Sequence, residues 1–259
     1  MHTVICHTPK PSDRAQIEAL ISDTNIPCQF MESPPKATFY LSILNNALIL
    51  NQTPNSSYLC VDFNSSAIRS KIDPKAQKPD LIKAVEGKLK RQLNIIDMTA
   101  GLGQDSFMLA ARGHKVTALE HSPYPYLLFK DALIRAEESA LYHIAQNITL
   151  LFANSATYKA NSTQDQATGF DIAYLDPMFP ERQKSAKVKK NMQFLQQLHG
   201  ETNATLSDNN SLLFDKASEI AQSKVIVKRP RKGDVLCQKQ PTSQIIGKSS
   251  RFDIYQLTK

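Results

Sequence analysis

The 259-residue sequence predicts an α/β fold: a mostly parallel sheet, closed by an antiparallel hairpin and preceded by a smaller α+β extension. Three observations predict it. From residue 93 short apolar runs recur ("LNIIDM", "KVTALE", "ITLLFA", "DIAYLD" and "KVIVKR"), the first four each ending near an acidic or small polar residue. Most of the segments between them have room for a helix, and strands alternating with helices imply a parallel sheet covered on both faces. The end of the chain, "SQIIGKSSRFDIYQLT", reads instead as two strands joined by a Gly-Lys-Ser-Ser turn.

Residues 1–90 form the expected extension and residues 91–259 the main domain. The extension begins with a short strand at "TVICH" and a helix over "SDRAQIEALISDT", with "SPP" as a breaker. The apolar runs "ATFYLSILNNALILN" and "SYLCVDF" read as strands bounded by Asn, Pro and Ser. "SKIDPKAQKPD" is a polar, Pro-containing connection. "LIKAVEGKLKRQ" has helical spacing, with Leu81, Ile82, Val85 and Leu89 on one side.

Composition bounds the class. An apolar fraction of 41% and a charged fraction of 21% are ordinary for a soluble globular protein. A formal charge of +7 favours an acidic partner. No window approaches the ~18 uninterrupted apolar residues of a membrane helix, and "MHTVICHTPK" lacks the basic and apolar regions of a signal peptide. A cytoplasmic location is therefore expected. Cys6, Cys28, Cys60 and Cys237 include no C-x-x-C pair and read as buried reduced thiols. A strand at "HTVICH" would split His2, Cys6 and His7 between two faces, so no metal is expected there.

The first strand-to-helix connection, "IIDMTAGLGQDSF", places Asp97 at a strand end, Gly101 and Gly103 in a tight loop, and a helix from about Gln104. Glycine lets the backbone turn sharply and lets a ligand approach closely. A second acid, Glu120 in "ALEHS", ends the next strand, where carboxylates accept hydrogen bonds from ribose hydroxyls. The pair reads as a nucleotide-cofactor site, although residue 106 is Ser and the G-x-G-x-x-G pattern is incomplete. A nicotinamide cofactor is the competing reading; no separate substrate domain follows to suit it. After the third run stand Asn154 and Ser155, positioned either to meet an adenine amine or to cap the next helix.

The fourth run carries the chemistry. "DIAYLDPMFP" resembles the (Asp/Asn/Ser)-Pro-Pro-(Tyr/Phe) loop of amino-group nucleic-acid methyltransferases, with Met178 in place of the second Pro. An exocyclic base amine is a poor nucleophile because its lone pair is delocalised into the ring. Asp176 and the carbonyl of Pro177 can accept its two hydrogens, aim the lone pair and stabilise the charge that develops. Proline fixes the backbone that carries that carbonyl. Phe179 offers a face on which an extruded base can stack. A parallel sheet ended by an antiparallel hairpin is likewise similar to the class I, Rossmann-like, seven-stranded methyltransferases that use S-adenosylmethionine.

Cations follow: Arg182, Lys184, Lys187, Lys189 and Lys190, opposed only by Glu181. A second group, Lys224, Lys228, Arg229, Arg231 and Lys232, brackets the fifth run. In a doubly wound sheet the ends of the fourth and fifth strands are neighbours at the ligand edge. Both groups are expected to flank one cleft and neutralise RNA phosphates, with Lys228 and Arg229 contributed by the second.

"DMTAGLGQDSF", "LEHSP", "YLDPMFPERQKSAKVKKNM", "VIVKRP" and "RFDIY" resemble the hallmark segments of the RsmJ family, in order, over residues 93–259. "YLCVDF" resembles an amino-terminal segment of the same family. The resemblance implies an S-adenosylmethionine-dependent enzyme that methylates the N2 amine of a guanosine near the 3′ end of bacterial 16S rRNA. It further implies cofactor contacts at Gln104, Asp105, Glu120, His121, Asn154, Ser155 and Asp176. One departure stands out: where the family carries a glycine-rich stretch with arginines, this chain has "SKIDPKAQKPD", and residues 64–80 receive no role. The expectation is a monomeric cytoplasmic enzyme acting on 16S rRNA in the small ribosomal subunit, with no membrane partner. Asp-Pro-x-Phe does not itself separate guanine N2 from adenine N6 or cytosine N4. A methyltransferase of proteins or small molecules, and a non-catalytic RNA-binding protein on the same fold, are the other classes.

Overall fold

A computed structural model describes residues 3–36, 39–53, 57–159, 169–177 and 206–258. The amino-terminal strands are β1 (Val4–His7), β2 (Cys28–Met31), β3 (Phe39–Leu44), β4 (Ala47–Gln52) and β5 (Ser57–Cys60), in the spatial order β2-β1-β3-β4-β5. Helix α1 (Pro11–Ile21) connects β1 to β2, so those two strands run parallel. The run "ATFYLSILNNALILN" turns back on itself at Asn45 and Asn46, whose φ values of 50° and 62° are left-handed. Asparagine tolerates that conformation, and a two-residue turn of this hand matches the twist of the hairpin β3–β4.

Two elements lie where the sequence suggested none. β2 is a four-residue edge strand, and α2 (Ser66–Ile72) runs into the first three residues of the polar connection, with Ile68 ahead of it as the buried anchor. Helix α3 (Asp80–Glu86) is shorter than its pattern, because Gly87 adopts φ 52° and ends it, leaving Leu89 exposed.

The main sheet contains β6 (Asn94–Asp97), β7 (Lys115–Glu120), β8 (Ile148–Phe152), β9 (Phe170–Leu175), β10 (Ala221–Pro230), β11 (Ser243–Ile246) and β12 (Ser250–Gln256). Their order is β11-β12-β10-β9-β6-β7-β8, with β10, β9, β6, β7 and β8 parallel and β12 antiparallel to both neighbours. This is the predicted sheet with its predicted hairpin. β9 is central, and five of its six residues are buried, as strands covered on both faces require.

Helices α4 (Gln104–Ala110), α5 (Pro123–Glu137) and α6 (Tyr142–Ala145) cover one face; α7 (Leu206–Ile220) covers the other through Phe214 and Ala217. The five-stranded sheet lies outside the α4–α5 layer and shares its apolar cluster, which runs from Leu41 and Leu50 to Phe107 and Ile95. Phe63 stacks on Phe107 (ring centroids 4.1 Å apart) and meets Phe129 edge-on. Asp131 of α5 accepts the Leu48 amide of β4 at 3.1 Å, and the Tyr124 hydroxyl accepts that of Ile5 at 3.3 Å. Of the four free cysteines only Cys6 is buried; the others are half-buried. No described helix is long and apolar enough to cross a membrane.

Candidate active site

The carboxyl ends of β6, β7, β8, β9 and β10 form one edge, and the site is built there. β6 ends on Asp97, which is 1% exposed and faces inward. Its carboxylate accepts the Ser106 hydroxyl at 2.5 Å and the Thr99 amide at 3.1 Å, so it braces the loop from within. Burial pushes its pKa up to about 7, with the two hydrogen bonds opposing the rise and the charges of Asp105 and Asp176 adding to it.

The loop depends on its glycines. Gly103 has φ 74°, and a Cβ there would stand 2.3 Å from the Phe129 ring. Only glycine satisfies both the left-handed backbone and the close approach. Gly101 is left-handed too, and its amide donates to Glu120 Oε2 at 2.8 Å. Glu120 Oε1 accepts the Ser122 amide at 2.6 Å. Burial raises the pKa of Glu120, against the pull of His121 and of these amides. The His121 ring stands 3.6 Å from Oε1 and is largely exposed. Asn154 lies exposed beyond β8 with its side-chain Oδ1 accepting the Ala156 amide at 2.9 Å. Ser155 is buried, and its hydroxyl donates to the Met98 carbonyl at 2.5 Å, which ties β8 to the first loop.

Asp176 follows directly on β9. Its amide donates to Thr99 Oγ1 at 2.6 Å, locking the end of β9 to the first loop. Leu175 pairs with Val227 across β9 and β10, which sets Lys228 level with Asp176. The Lys228 ammonium donates to Asp176 Oδ2 at 2.6 Å and to Asp105 Oδ2 at 2.8 Å. Asp105 Oδ2 also accepts the hydroxyl of buried Tyr174 at 2.6 Å. Burial raises the carboxyl pKa of Asp176, Lys228 counteracts that, and Asp105 reinforces it. Burial would raise Asp105 as well, but Lys228 and Tyr174 outweigh it and hold its pKa below the usual range. Flanked by two carboxylates, the Lys228 ammonium is held protonated against its own burial. Asp176 Oδ1 accepts no hydrogen bond from the described residues.

Three expectations about cations change. Lys228 is not placed to meet RNA phosphates: its ammonium is committed to Asp105 and Asp176. Arg229 is 7% exposed, and its Nε donates to the Asp234 carbonyl at 2.7 Å, so it too is an internal group. Lys224 is buried short of the carboxyl edge and donates to the Ala84 carbonyl of α3 at 2.8 Å. Phe179, Arg182, Lys184, Lys187, Lys189 and Lys190 lie outside the described residues. Sequence reasoning missed Thr99 and Tyr174, and did not foresee the carboxylate partners of Lys228. The signal for Lys228 was present: a lysine closes the fifth apolar run as an aspartate closes the fourth, and those strands are neighbours.

The chain matches the family described as "Putative SAM-dependent methyltransferase" over residues 27–257. It is 45% identical to a curated protein of Francisella tularensis subsp. novicida named ribosomal RNA small subunit methyltransferase J, across 84% of this chain and 87% of the relative. A protein of the same name from Francisella philomiragia is 42% identical, across 84% and 88%. The chain belongs to the ribosomal RNA small subunit methyltransferase J family. A crystal structure of a SAM-dependent methyltransferase from Neisseria gonorrhoeae superposes with a TM-score of 0.69 at 27% identity, covering 98% of this chain and 96% of that one. The fold is therefore that of the class I methyltransferases, and the cofactor of this RsmJ-family enzyme is S-adenosylmethionine.

The residues present fit that cofactor. Backbone amides of Gly101 and Ser122 hold the two Glu120 oxygens, and a carboxylate of about four acceptor sites keeps capacity for ribose hydroxyls. Gln104, Asp105 and exposed Asn154 add polar groups along the same edge, within the loop that Gly101 and Gly103 shape.

Proposed function

We propose that this enzyme methylates the exocyclic N2 amine of a guanosine near the 3′ end of 16S rRNA in the bacterial small ribosomal subunit. The carrying observation is Asp176, closing β9 beside the cofactor loop with Oδ2 fixed by Lys228 and Oδ1 left without a hydrogen bond from the described residues. The names of the relatives support the ribosomal RNA substrate, and the likeness of "DPMFP" to the amino-methyltransferase loop supports an amine target.

Cofactor contacts are assigned to Gln104, Asp105, Glu120, His121, Asn154 and Ser155, with Asp97, Gly101 and Gly103 shaping the loop. When bound, S-adenosylmethionine supplies a methyl group on a sulfonium. Asp176 Oδ1 accepts one amine hydrogen and the Pro177 carbonyl the other, which aims the nitrogen lone pair. The nitrogen takes the methyl group as its bond to the sulfonium sulfur breaks, leaving a neutral thioether, and the carboxylate stabilises the positive charge that passes to the nitrogen. The amine proton then leaves to Asp176, whose raised pKa suits it to receive one. Lys228 holds Asp176 ionised until that point. Phe179 provides the stacking face for the extruded guanine. A monomer is the expected working unit.

The test is transfer from labelled S-adenosylmethionine to ribosomal RNA and small subunits that lack the modification, followed by nucleoside analysis. Label is expected in N2-methylguanosine, and Asp176→Ala is expected to abolish it while cofactor affinity falls only modestly. Label in N6-methyladenosine would overturn the base assignment, and normal turnover by Asp176→Ala would overturn the mechanism.

A further inference from the structure

The segment Pro230–Asp234 leaves β10 immediately after Lys228 and Arg229, on the edge that carries Asp176. Its turn is closed by the Gly233 amide donating to the Pro230 carbonyl at 2.9 Å, and the Arg231 amide donates to Ser249 at 3.2 Å. Two buried guanidiniums hold it from below. Arg251, 6% exposed, donates through Nη1 to the carbonyls of Gly233 at 2.5 Å, Arg231 at 3.3 Å and Pro230 at 3.5 Å. The rest of that guanidinium is bidentate on fully buried Asp253, at 2.8 and 3.0 Å, and Gln244 donates to the same carboxylate. Arg229 adds its bond to the Asp234 carbonyl.

Burying charge is costly, and an ordinary solvated turn needs no such support. The support fixes the backbone of a turn whose own side chains, Arg231 and Lys232, are exposed, and neither forms an ion pair among the described residues. Because Lys228 is committed to carboxylates, this turn brings the nearest exposed cations that follow it in the chain. A rigid turn gives up less entropy on binding than a flexible one. A base extruded to reach Asp176 carries its flanking phosphates to this rim.

We infer that the Pro230–Asp234 turn is a preorganised grip in which Arg231 and Lys232 hold a backbone phosphate beside the target nucleotide. The inference rests on the RNA substrate proposed above. It assigns positioning, not base reading, to the two cations.

The experiment measures methyl transfer to the small-subunit RNA substrate as a function of salt. It compares the wild type, Arg231→Ala/Lys232→Ala, and a control, Lys88→Ala/Lys90→Ala, which removes two exposed cations ahead of β6 at the opposite edge. The turn variant is expected to raise KM for RNA about tenfold, with kcat and cofactor affinity unchanged. Its log–log salt slope should be shallower by about 0.7–0.9, the loss of one neutralised phosphate. The control should match the wild type. Unchanged KM and slope in the turn variant would overturn the grip, as would equal shifts in both variants, which report net charge alone. A wild type that methylates no RNA overturns the substrate reading and the grip together, before any variant is compared.

Discussion

Lys228 Nζ stands 2.6 Å from Asp176 and 2.8 Å from Asp105, so one ammonium joins the carboxylate of the amine site to that of the cofactor loop. The three side chains are 28%, 34% and 20% exposed respectively, so solvent screens the attraction without removing it. In the mechanism proposed above, Lys228 is a positioning residue. It would aim Asp176 and favour its ionised form. The carboxylate must be ionised to accept the amine hydrogen, so activity rises with pH through the raised pKa of Asp176. Lys228→Met removes the opposing charge, and the acid limb of kcat/KM should move to higher pH with a loss of roughly tenfold or more. Lys228→Arg should keep the limb in place. An acid limb that stays put in Lys228→Met would refute the role.

The two loop glycines should differ in what alanine costs. Gly101 is left-handed at φ 54° with its nearest obstacle, Thr99 O, at 4.0 Å, so Gly101→Ala should cost about 1–2 kcal/mol. Gly103 combines φ 74° with a 2.3 Å clash against Phe129, and Gly103→Ala should cost about 2–5 kcal/mol. Urea unfolding of both variants checks the order, and equal costs would contradict the Phe129 contact.

Asp97 should make stability fall as pH rises. Its folded pKa of about 7 lies above that of an unfolded aspartate, about 3.9. The folded state therefore holds the proton more tightly. This contribution is fully present below about pH 4 and is lost as pH climbs through 7. Asp97→Asn keeps an acceptor for Thr99 and does not titrate. Relative to the wild type, the variant should gain stability between pH 5 and pH 8, by no more than about 3 kcal/mol. Parallel denaturation curves at both pH values, with no change in the difference, would place Asp97 in the ordinary carboxylate range.

Phe63 connects the amino-terminal segment to the methyltransferase core. Buried against Phe107 and Phe129, it should cost about 3–5 kcal/mol when replaced by alanine. A double-mutant cycle with Phe107 should return a coupling of about 0.5–1.5 kcal/mol. Additive effects would show that the stacking is incidental.

Much of the architecture was legible because its signals are local. A fully buried parallel strand must be a short apolar run, so "DIAYLD" announced β9, and the acid or amide after each run marked the ligand edge. The glycine loop was legible because a left-handed backbone beside a packed ring admits little else. β2 and α2 were not: "CQFM" has no alternation and sits at a sheet edge, and α2 has a single buried anchor within polar sequence. The hairpin at Asn45–Asn46 was hidden inside one continuous apolar run.

By itself the sequence determined the strand succession, the loop that shapes the cofactor site, and the placing of Asp176 at the end of the fourth parallel strand. Only the tertiary structure decided what the cations do. Lys228, Arg229, Arg231 and Arg251 all look like solvent-facing charges in one dimension. Which of them finds a carboxylate, a carbonyl or solvent depends on β10 lying between β9 and β12, which puts Lys228 beside a residue 52 positions away. An electrostatic partner is a matter of distance in space, and sequence spacing reports that distance only within a turn or two of the chain.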